Sequence, residues 1–327
     1  MSRLGFWPFP AAVCFLLATF YFVAVYHVSP GTALSGSYKP WRKAHPPAAP
    51  ETPRTRLSRT LEGNEQRYQA AVQERRTTVA AMADQPAFPE PFSAFYTLWD
   101  FFAPVFSCPF SVYRVGTMGD GGKWVCGLER ATHQPSCVIY SMGVERQSSF
   151  EQEALRQAEH CQVYGFDFSV AEWGPELRAD SEVNARAHFF PYKIGAADNH
   201  TASPKEYSLQ GIMQELGHEF IDIWKIDIEG SEFSALKAVI ESFEGKPLPF
   251  GQMQIEIHIG YEAGMNTVGA IDDWWTMLED AGLRPFWTEL NLLDVNFFRR
   301  GPLVAEWSFI NIRGKHALLD DTLPDYP

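Results

Sequence analysis

Positive charge is scarce in this chain of 327 residues, which has 27 lysines and arginines against 40 aspartates and glutamates. The formal net charge is −13. A protein that binds nucleic acid needs a basic face for the phosphates, and none of the charge runs supplies one. The chain also lacks an internal repeat. We therefore expect no nucleic-acid partner, and the 46% of hydrophobic residues gives ample material for a buried core.

Charged side chains are missing from Phe6 to Val28, apart from His27 in its protonated form. At a rise of about 1.5 Å per residue, a helix of this length crosses a hydrocarbon layer of about 30 Å. The segment therefore predicts a transmembrane anchor over residues 1–28, which makes the membrane a partner of the chain. A cleaved signal peptide is the alternative, although its apolar region is normally shorter.

Core-forming residues are also few between residues 29 and 91. The first part, Ser29 to Pro53, is rich in proline, alanine, glycine and serine and predicts extended or disordered chain. The second part, Leu57 to Met82, is polar with apolar residues at near-helical spacing and predicts a solvated helix. We expect a largely disordered stem over residues 29–91 and a catalytic domain over residues 92–327, an arrangement typical of Golgi enzymes.

Cysteine is rare as well, with five in the chain. Cys14 lies in the apolar run, and the other four allow two disulfides in an oxidising lumen or four buried thiols (Cys108, Cys126, Cys137 and Cys161). Cys126 and Cys137 flank a loop-like segment and are the favoured pair. The even number of cysteines and the sequon Asn199-His200-Thr201 favour a lumenal catalytic domain, in the Golgi or the endoplasmic reticulum, of a single-pass membrane protein. The positive-inside rule alone favours the cytoplasmic side.

Strand-like and helix-like segments alternate from Cys137 onwards. The predicted strands are Cys137–Ser141, Cys161–Asp167, His188–Ile194, Phe220–Ile228, Met253–Ile259, Leu283–Glu289 and Ala305–Ile312, and the predicted helices are Ser149–His160, Ser231–Phe243 and Ile271–Ala281. This order is typical of an α/β, Rossmann-like fold with helices on both faces of a mostly parallel seven-stranded sheet. Because no helix separates the last two strands, we expect an antiparallel edge strand.

Ligands of open α/β sheets bind at the carboxyl ends of the strands, and this rule selects four segments. They contain Ser141, Gly143 and Glu145 after the first strand, Asp167 after the second, Gly195 and Ala196 after the third, and Asp227 and Glu229 after the fourth. Asp167 follows Gly143 at the spacing of a ribose-binding acid. Gly195 and Ala196 leave room for an adenine ring. A plain turn at Gly143 and a helix cap at Asp167 are the structural alternatives.

The stretch WKIDIEGSEFSAL, with YGFD before it and QIEIHIG after it, resembles the FkbM-like methyltransferases. A methyltransferase-like branch also carries the segment DGGKWVC, here Asp120 to Cys126. The resemblance covers Val115 to Ile312 and implies a class I methyltransferase fold with S-adenosylmethionine as methyl donor. It places Ser141 to Glu145 beneath the methionine part of the cofactor, Asp167 at the ribose and Asp227 beside the transferred methyl group. The usual glycine-rich turn keeps only Gly143, and Ser141 replaces its acid.

Three side chains are candidates for catalysis, namely Asp227, Glu256 and His258. Glu256 and His258 lie two residues apart on one face of the fifth strand, and His258 has the chemistry of a general base. Together with Asp227 they are also a possible set of ligands for a divalent metal, while a buried structural histidine is the alternative. The resemblance implies O-methylation of a hydroxyl or carboxyl group on a small molecule or a glycan.

Two other functions remain open at this point. A Golgi-type glycosyltransferase would use Asp227 and Glu229 to hold a metal and a sugar nucleotide. A binding domain without catalysis would explain why the glycine-rich turn keeps only Gly143.

Overall fold

The computed structural model describes residues 53–90, 93–131, 134 and 136–323. The helices are α1 (Pro53–Val79), α2 (Leu128–Ala131), α3 (Ser149–Gln157), α4 (Pro175–Arg178), α5 (Ser181–Asn184), α6 (Leu209–Leu216), α7 (Glu232–Ser242) and α8 (Val268–Asp280), with a 3₁₀ turn at Leu98–Phe101 and a π-helical turn at Asp294–Phe298. The strands are β1 (Val112–Val115), β2 (Lys123–Cys126), β3 (Cys137–Met142), β4 (Cys161–Phe166), β5 (Ala187–Phe190), β6 (Lys193–Ile194), β7 (Glu206–Tyr207), β8 (Ile221–Ile226), β9 (Phe250–His258), β10 (Leu283–Leu290) and β11 (Val304–Asn311).

Seven strands form one sheet in the order β10-β11-β9-β8-β3-β4-β5. All neighbouring pairs are parallel except those of β11, which runs antiparallel to β9 and β10. The predicted α/β, Rossmann-like sheet of a class I methyltransferase is therefore confirmed. The antiparallel strand lies one position inside the edge, because β10 adds to the outer side of β11.

Helices cover both faces of the sheet because successive strand residues point to opposite sides. Ile139 and Ile223 pack with α3 on one face, whereas Tyr140 and Trp224 pack with α6, α7 and α8 on the other. The predicted third strand ends early, at Phe190, because Pro191 has no amide hydrogen for the ladder.

Helix α1 differs from the solvated stem helix that its polar sequence predicts. Tyr68 and Val72 are buried, and the Arg75 guanidinium pairs with Asp272 and Glu279 of α8, each at 2.8 Å. This contact was not predicted because only a narrow stripe of the helix is apolar. The compact unit therefore includes α1 and begins before residue 92, the predicted start of the catalytic domain.

The predicted transmembrane anchor, residues 1–28, lies outside the described residues, as does the stem before Pro53. Within the described ranges, every helix is too short or too polar to span a membrane. The long helix α1 has 27 residues, and its sequence is rich in arginine, glutamine and glutamate. This finding contradicts the prediction of a single-pass membrane protein with a lumenal catalytic domain.

Two disulfides join the cysteines of the folded unit, Cys108 to Cys126 and Cys137 to Cys161. The predicted pair of Cys126 with Cys137 is therefore wrong. Cys137 and Cys161 begin the neighbouring parallel strands β3 and β4 directly opposite each other, with Cα atoms 4.3 Å apart. Cys126 and Cys137 were paired because they are close in the sequence. The observed pair of Cys137 with Cys161 depends on the register between β3 and β4, which the sequence of a loop does not indicate.

Candidate active site

A cavity of about 350 Å³ opens at the carboxyl ends of β3, β4 and β8. This volume lies within the range of about 300–1,000 Å³ typical of small-molecule sites. The lining side chains and backbone belong to Asp120, Gly121, Gly143, Val144, Glu145, Gln147, Phe166, Asp167, Phe168, Ser169, Tyr192, Lys193, Ile194, Lys225, Asp227, Ile228, Glu229, Ser231 and Glu256. The position agrees with the rule for open α/β sheets.

The turn after β3 depends on a close contact between Gly143 and Asp227. Gly143 has φ +77°, and a Cβ added to it would lie 1.6 Å from the Asp227 carbonyl oxygen. The sequence resemblance places Gly143 in the turn beneath the methionine part of the cofactor. The structure shows that the closest approach is to the backbone of the next strand, while Gly143 still lines the cavity.

Asp167 fixes the two loops that border the cavity. Its Oδ2 accepts hydrogen bonds from the amides of Val144 (2.9 Å) and Glu145 (2.7 Å), and its Oδ1 accepts from the amide and hydroxyl of Ser169, both at 2.7 Å. A carboxylate has about four acceptor sites, and these contacts use all of them. A ribose hydroxyl at Asp167 would have to replace one contact, and the Ser169 hydroxyl is the most accessible of them.

Two acidic residues of the rim have left-handed backbone conformations. Of the described non-glycine residues, Glu145 (φ 49°) and Glu229 (φ 53°) adopt positive φ beside the cavity. Such conformations cost on the order of 1–3 kcal/mol and are often found at functional sites. Both loops are therefore held in a strained form by the contacts around them.

Behind the turn, buried polar groups connect β3 and β8. The Lys225 ammonium donates to the Gly143 carbonyl at 2.5 Å and lies 4.0 Å from the Glu151 carboxylate. Ser141 is fully buried and donates to the same Glu151. Ser141 thus supports the turn from behind, and it is not part of the cavity wall.

Asp227 is the acid at the centre of the site. Its carboxylate lies 3.4 Å from the ammonium of Lys123, which also donates to Glu306. Burial alone would raise the pKa of Asp227, but the positive charges of Lys123 and Lys225 outweigh it and lower the pKa to about 2. Asp227 is therefore a permanent carboxylate at neutral pH.

Glu256 lies beside Asp227, and its pKa is shifted in the opposite direction. Burial, together with repulsion by Asp227 and Glu306, raises the pKa of Glu256 well above its usual value. Asn291 donates to its Oε1 at 2.7 Å. Two neighbouring carboxyl groups with opposite pKa shifts are a recurring feature of acid–base sites.

His258 is buried behind the loop that carries Glu229. Its Nδ1 lies 2.9 Å from Glu232, and its Nε2 lies 3.5 Å from Glu229. Burial opposes the charged form, but the hydrogen bond to Glu232 and its charge raise the pKa of His258. Because both ring nitrogens face carboxylates, His258 is better placed to order this loop than to act as a general base.

Two groups of side chains have the spacing of metal ligands. The ligand atoms of Asp227, Glu229 and His258 lie within 4.8 Å of one another, and so do those of Asp120, Glu256 and Glu306. The predicted set combined Asp227 and His258 with Glu256, so the structure divides it between the two groups. Lys123 already supplies a positive charge to members of both.

The adenine-pocket residues predicted after the third strand lie apart from the cavity. The Gly195 amide donates to the Tyr207 carbonyl at 3.0 Å, and Ala196 is exposed. Tyr192, Lys193 and Ile194 line the cavity in their place.

Six predicted residues line the cavity: Gly143, Glu145, Asp167, Asp227, Glu229 and Glu256. No role was predicted for Lys123, Lys225 or Glu306. The alternation of a strand places Lys225 on the same face as Asp227 and was a usable signal. Lys123 and Glu306 come from distant strands, so no local pattern indicates them.

The cavity is acidic. Among the described residues, six lining carboxyl groups stand against two lysines (Asp120, Glu145, Asp167, Asp227, Glu229 and Glu256 against Lys193 and Lys225). Even without Glu256, five carboxyl groups remain against the two lysines. Such a wall attracts a cationic ligand and repels an anionic one.

A family model described as a methyltransferase domain matches residues 67–301. Probable methyltransferase-like protein 24 is 27% identical over 169 residues in Rattus norvegicus and 25% identical over 170 residues in Homo sapiens. Each match covers 49% of this chain, and the chain spans less than half of the relatives' length (44% and 43%).

Solved structures with similar folds include a Methanococcus jannaschii fibrillarin pre-rRNA processing protein, with TM-score 0.35 and 12% identity over 68% of this chain and 87% of that one. A precorrin-6y C5,15-methyltransferase from Geobacter metallireducens has TM-score 0.31 and 13% identity over 56% of this chain and 83% of its own.

Proposed function

The chain belongs to the methyltransferase domain family that matches residues 67–301, and on this premise we propose that it transfers a methyl group from S-adenosylmethionine to a hydroxyl group. The resemblance noted in the sequence motifs is confirmed by this match. The cofactor, the acceptor and the site residues are proposals.

The observation that carries the proposal is the acidic wall at the carboxyl ends of the strands. S-adenosylmethionine has a sulfonium, an ammonium and a carboxylate group, so its net charge is positive. A sugar nucleotide has a negatively charged diphosphate, which this wall would repel. The charge of the site thus favours the methyl donor over the donor of a glycosyltransferase.

The cofactor would be held by the turns after β3, β4 and β8. The aromatic rings of Phe168 and Tyr192 offer flat surfaces for the adenine, while Glu145 and Asp167 border the ribose. Asp227 would lie beside the sulfonium, which carries the electrophilic methyl group that the cofactor supplies. Its charge, fixed by Lys123 and Lys225, suits that position.

The acceptor we propose is a neutral hydroxyl, as in a glycan or a small alcohol. A carboxylate acceptor would approach the same acidic wall against its charge. The ionised Asp227 can accept a hydrogen bond from the hydroxyl, orient its oxygen towards the methyl group and take up the proton that this oxygen loses when it is methylated. Positioning of this kind is the main contribution that a protein makes to a displacement reaction.

Calorimetric binding tests the cofactor directly. We expect the protein to bind S-adenosylhomocysteine and sinefungin, in which an amine replaces the methylated sulfur centre, and not to bind UDP-sugars with or without Mn²⁺. Asp227→Asn should weaken the binding of sinefungin about tenfold, and the exposed change Asp273→Asn should leave this binding unchanged.

Binding of UDP-sugars alone would favour the glycosyltransferase. Binding of none of these ligands would favour a domain without cofactor turnover.

A further inference from the structure

Lys123 has an ammonium group in an unusually buried position. Its side chain is 1% exposed and lies at the start of β2, outside the central sheet. The ammonium donates to Glu306 of β11 and lies 3.4 Å from Asp227, which follows β8. A buried lysine is costly to desolvate, so these carboxylates must offset that cost.

The strand that carries Lys123 is attached at three points, two of them on the central sheet and one on the loop before β1. The backbone of Cys126 exchanges two hydrogen bonds with the Gln252 side chain of β9, at 2.8 and 2.9 Å. The Trp124 carbonyl accepts from Ser308 of β11 at 2.8 Å. The disulfide from Cys126 to Cys108 completes the attachment. The ammonium is therefore held in place by the fold and does not depend on a flexible loop.

Charged groups face Asp227 from four strands. They are Lys123 of β2, Lys225 of β8, Glu256 and His258 of β9 and Glu306 of β11. Of the cations, Lys123 acts most strongly on Asp227. Without it, Asp227, Glu256 and Glu306 would form a buried acidic group that must take up protons to remain in the fold.

We infer that Lys123 is a positioning residue whose ammonium group takes the place of a divalent cation, because it pairs with the Asp227 carboxylate and orients it beside the methyl group of the cofactor. This inference rests on the proposed function, because it assumes that Asp227 faces the cofactor. It assigns a role to the lysine of the DGGKWVC segment, which the sequence analysis quoted only as a motif.

The affinity ratio of sinefungin to S-adenosylhomocysteine reports the charge beside the methyl position. Sinefungin has a positive amine there and S-adenosylhomocysteine a neutral sulfur. In the wild-type protein we expect this ratio to change by less than threefold from pH 5.5 to 8, because Lys123 and Lys225 stay charged beside Asp227 and outweigh the titration of Glu256 and His258. In Lys123→Met we expect the ratio to fall at least threefold as the pH drops over this range. Lys237→Met, on the exposed surface of α7, is the matched control and should behave as wild type.

A double variant protects the test against loss of folding. Lys123→Met with Glu306→Gln removes one positive and one negative group, a replacement that buried ion pairs often tolerate. It leaves Asp227 without the ammonium and should show the same dependence on pH. Thermal unfolding of each variant establishes that it is folded.

The outcomes separate the inference from the proposed function. A wild-type protein that binds neither ligand overturns both. Variants that bind both ligands with a ratio as constant as in wild type overturn the role of Lys123 and leave the cofactor intact. A wild-type ratio that changes on addition of EDTA would show that a metal holds this position, and it would also overturn the inference.

Discussion

Gly143 shows how one residue couples two strand ends. A side chain there would meet the Asp227 carbonyl, and the φ of +77° adds the left-handed penalty of about 1–2 kcal/mol. We expect Gly143→Ala to lower the free energy of unfolding by more than about 2 kcal/mol and to weaken the binding of S-adenosylhomocysteine at least tenfold. Urea unfolding and calorimetry measure the two effects.

Gly217→Ala is the matched control for this change. Gly217 ends α6 with φ +69°, but no atom lies within 4 Å of the added Cβ. The free energy of unfolding of Gly217→Ala should fall by only about 1 kcal/mol, and this variant should bind S-adenosylhomocysteine as wild type does. Equal ligand affinities in the two variants would show that the contact between Gly143 and Asp227 does not shape the cavity.

Glu256 gives a prediction about pH. A carboxyl group whose pKa is raised on folding binds more protons in the folded than in the unfolded state, so stability falls as the pH rises above its ordinary value of 4.5. The amide of Glu256→Gln resembles the protonated acid and can still accept from Asn291. We expect this variant to gain at least about 1 kcal/mol at pH 8 and nothing at pH 4.5.

Urea unfolding at both pH values measures this difference. Glu241→Gln, at an exposed site on α7, should show no gain at either pH. A Glu256→Gln protein that is less stable than wild type at pH 8 would mean that Glu256 is ionised in the folded protein.

At the scale of elements, α1 is the helix whose role the sequence obscures. Arg75 is paired with Glu279 and Asp272 in a buried contact, and removal of one partner of such a contact typically costs about 3–5 kcal/mol. We expect Arg75→Ala to destabilise the protein by about this amount in urea unfolding. The exposed pair of Arg178 and Glu172 is the control, and Arg178→Ala should cost less than about 1 kcal/mol. Equal losses would mean that α1 contributes little to the folded unit.

The strands of the central sheet were predictable because burial on both faces leaves a continuous apolar run. β9 is buried over all its nine residues, and β3 and β8 are nearly so. The hairpin of β1 and β2 was not predicted, since each strand has only four residues and β1 is half-exposed. Local pattern therefore gave the layers of the fold but missed the pieces that pack onto them.

The site was predictable only where it follows the strand ends. Asp167 and Asp227 come directly after apolar strands, and the topology brings them to one edge. The pairing of Lys123 with Glu306 joins residues 183 positions apart, and it depends on the antiparallel insertion of β11 beside β9. His258 was found by its type, but its burial and its contact with Glu232 depend on tertiary packing.

At the scale of the molecule, the two disulfides tie different parts of the fold. Cys137–Cys161 joins the first residues of β3 and β4, at the opposite end of these strands from the cavity. Cys108–Cys126 joins the loop before β1 to the last residue of β2, three residues after Lys123. The second bond is thus attached to the strand that carries Lys123.

The disulfides give the last prediction. They close loops with sequence separations of 18 and 24, and loops of this size contribute roughly 3 kcal/mol each. Replacement of either pair by alanines should lower the free energy of unfolding by about this amount, and dithiothreitol should have no effect on a variant that lacks both disulfides.

Only the double variant Cys108→Ala with Cys126→Ala should also lower the ratio of sinefungin affinity to S-adenosylhomocysteine affinity at pH 5.5, because it loosens the strand that positions Lys123. Mass mapping of a non-reduced digest checks the pairing, and a peptide that joins Cys126 to Cys137 would contradict it.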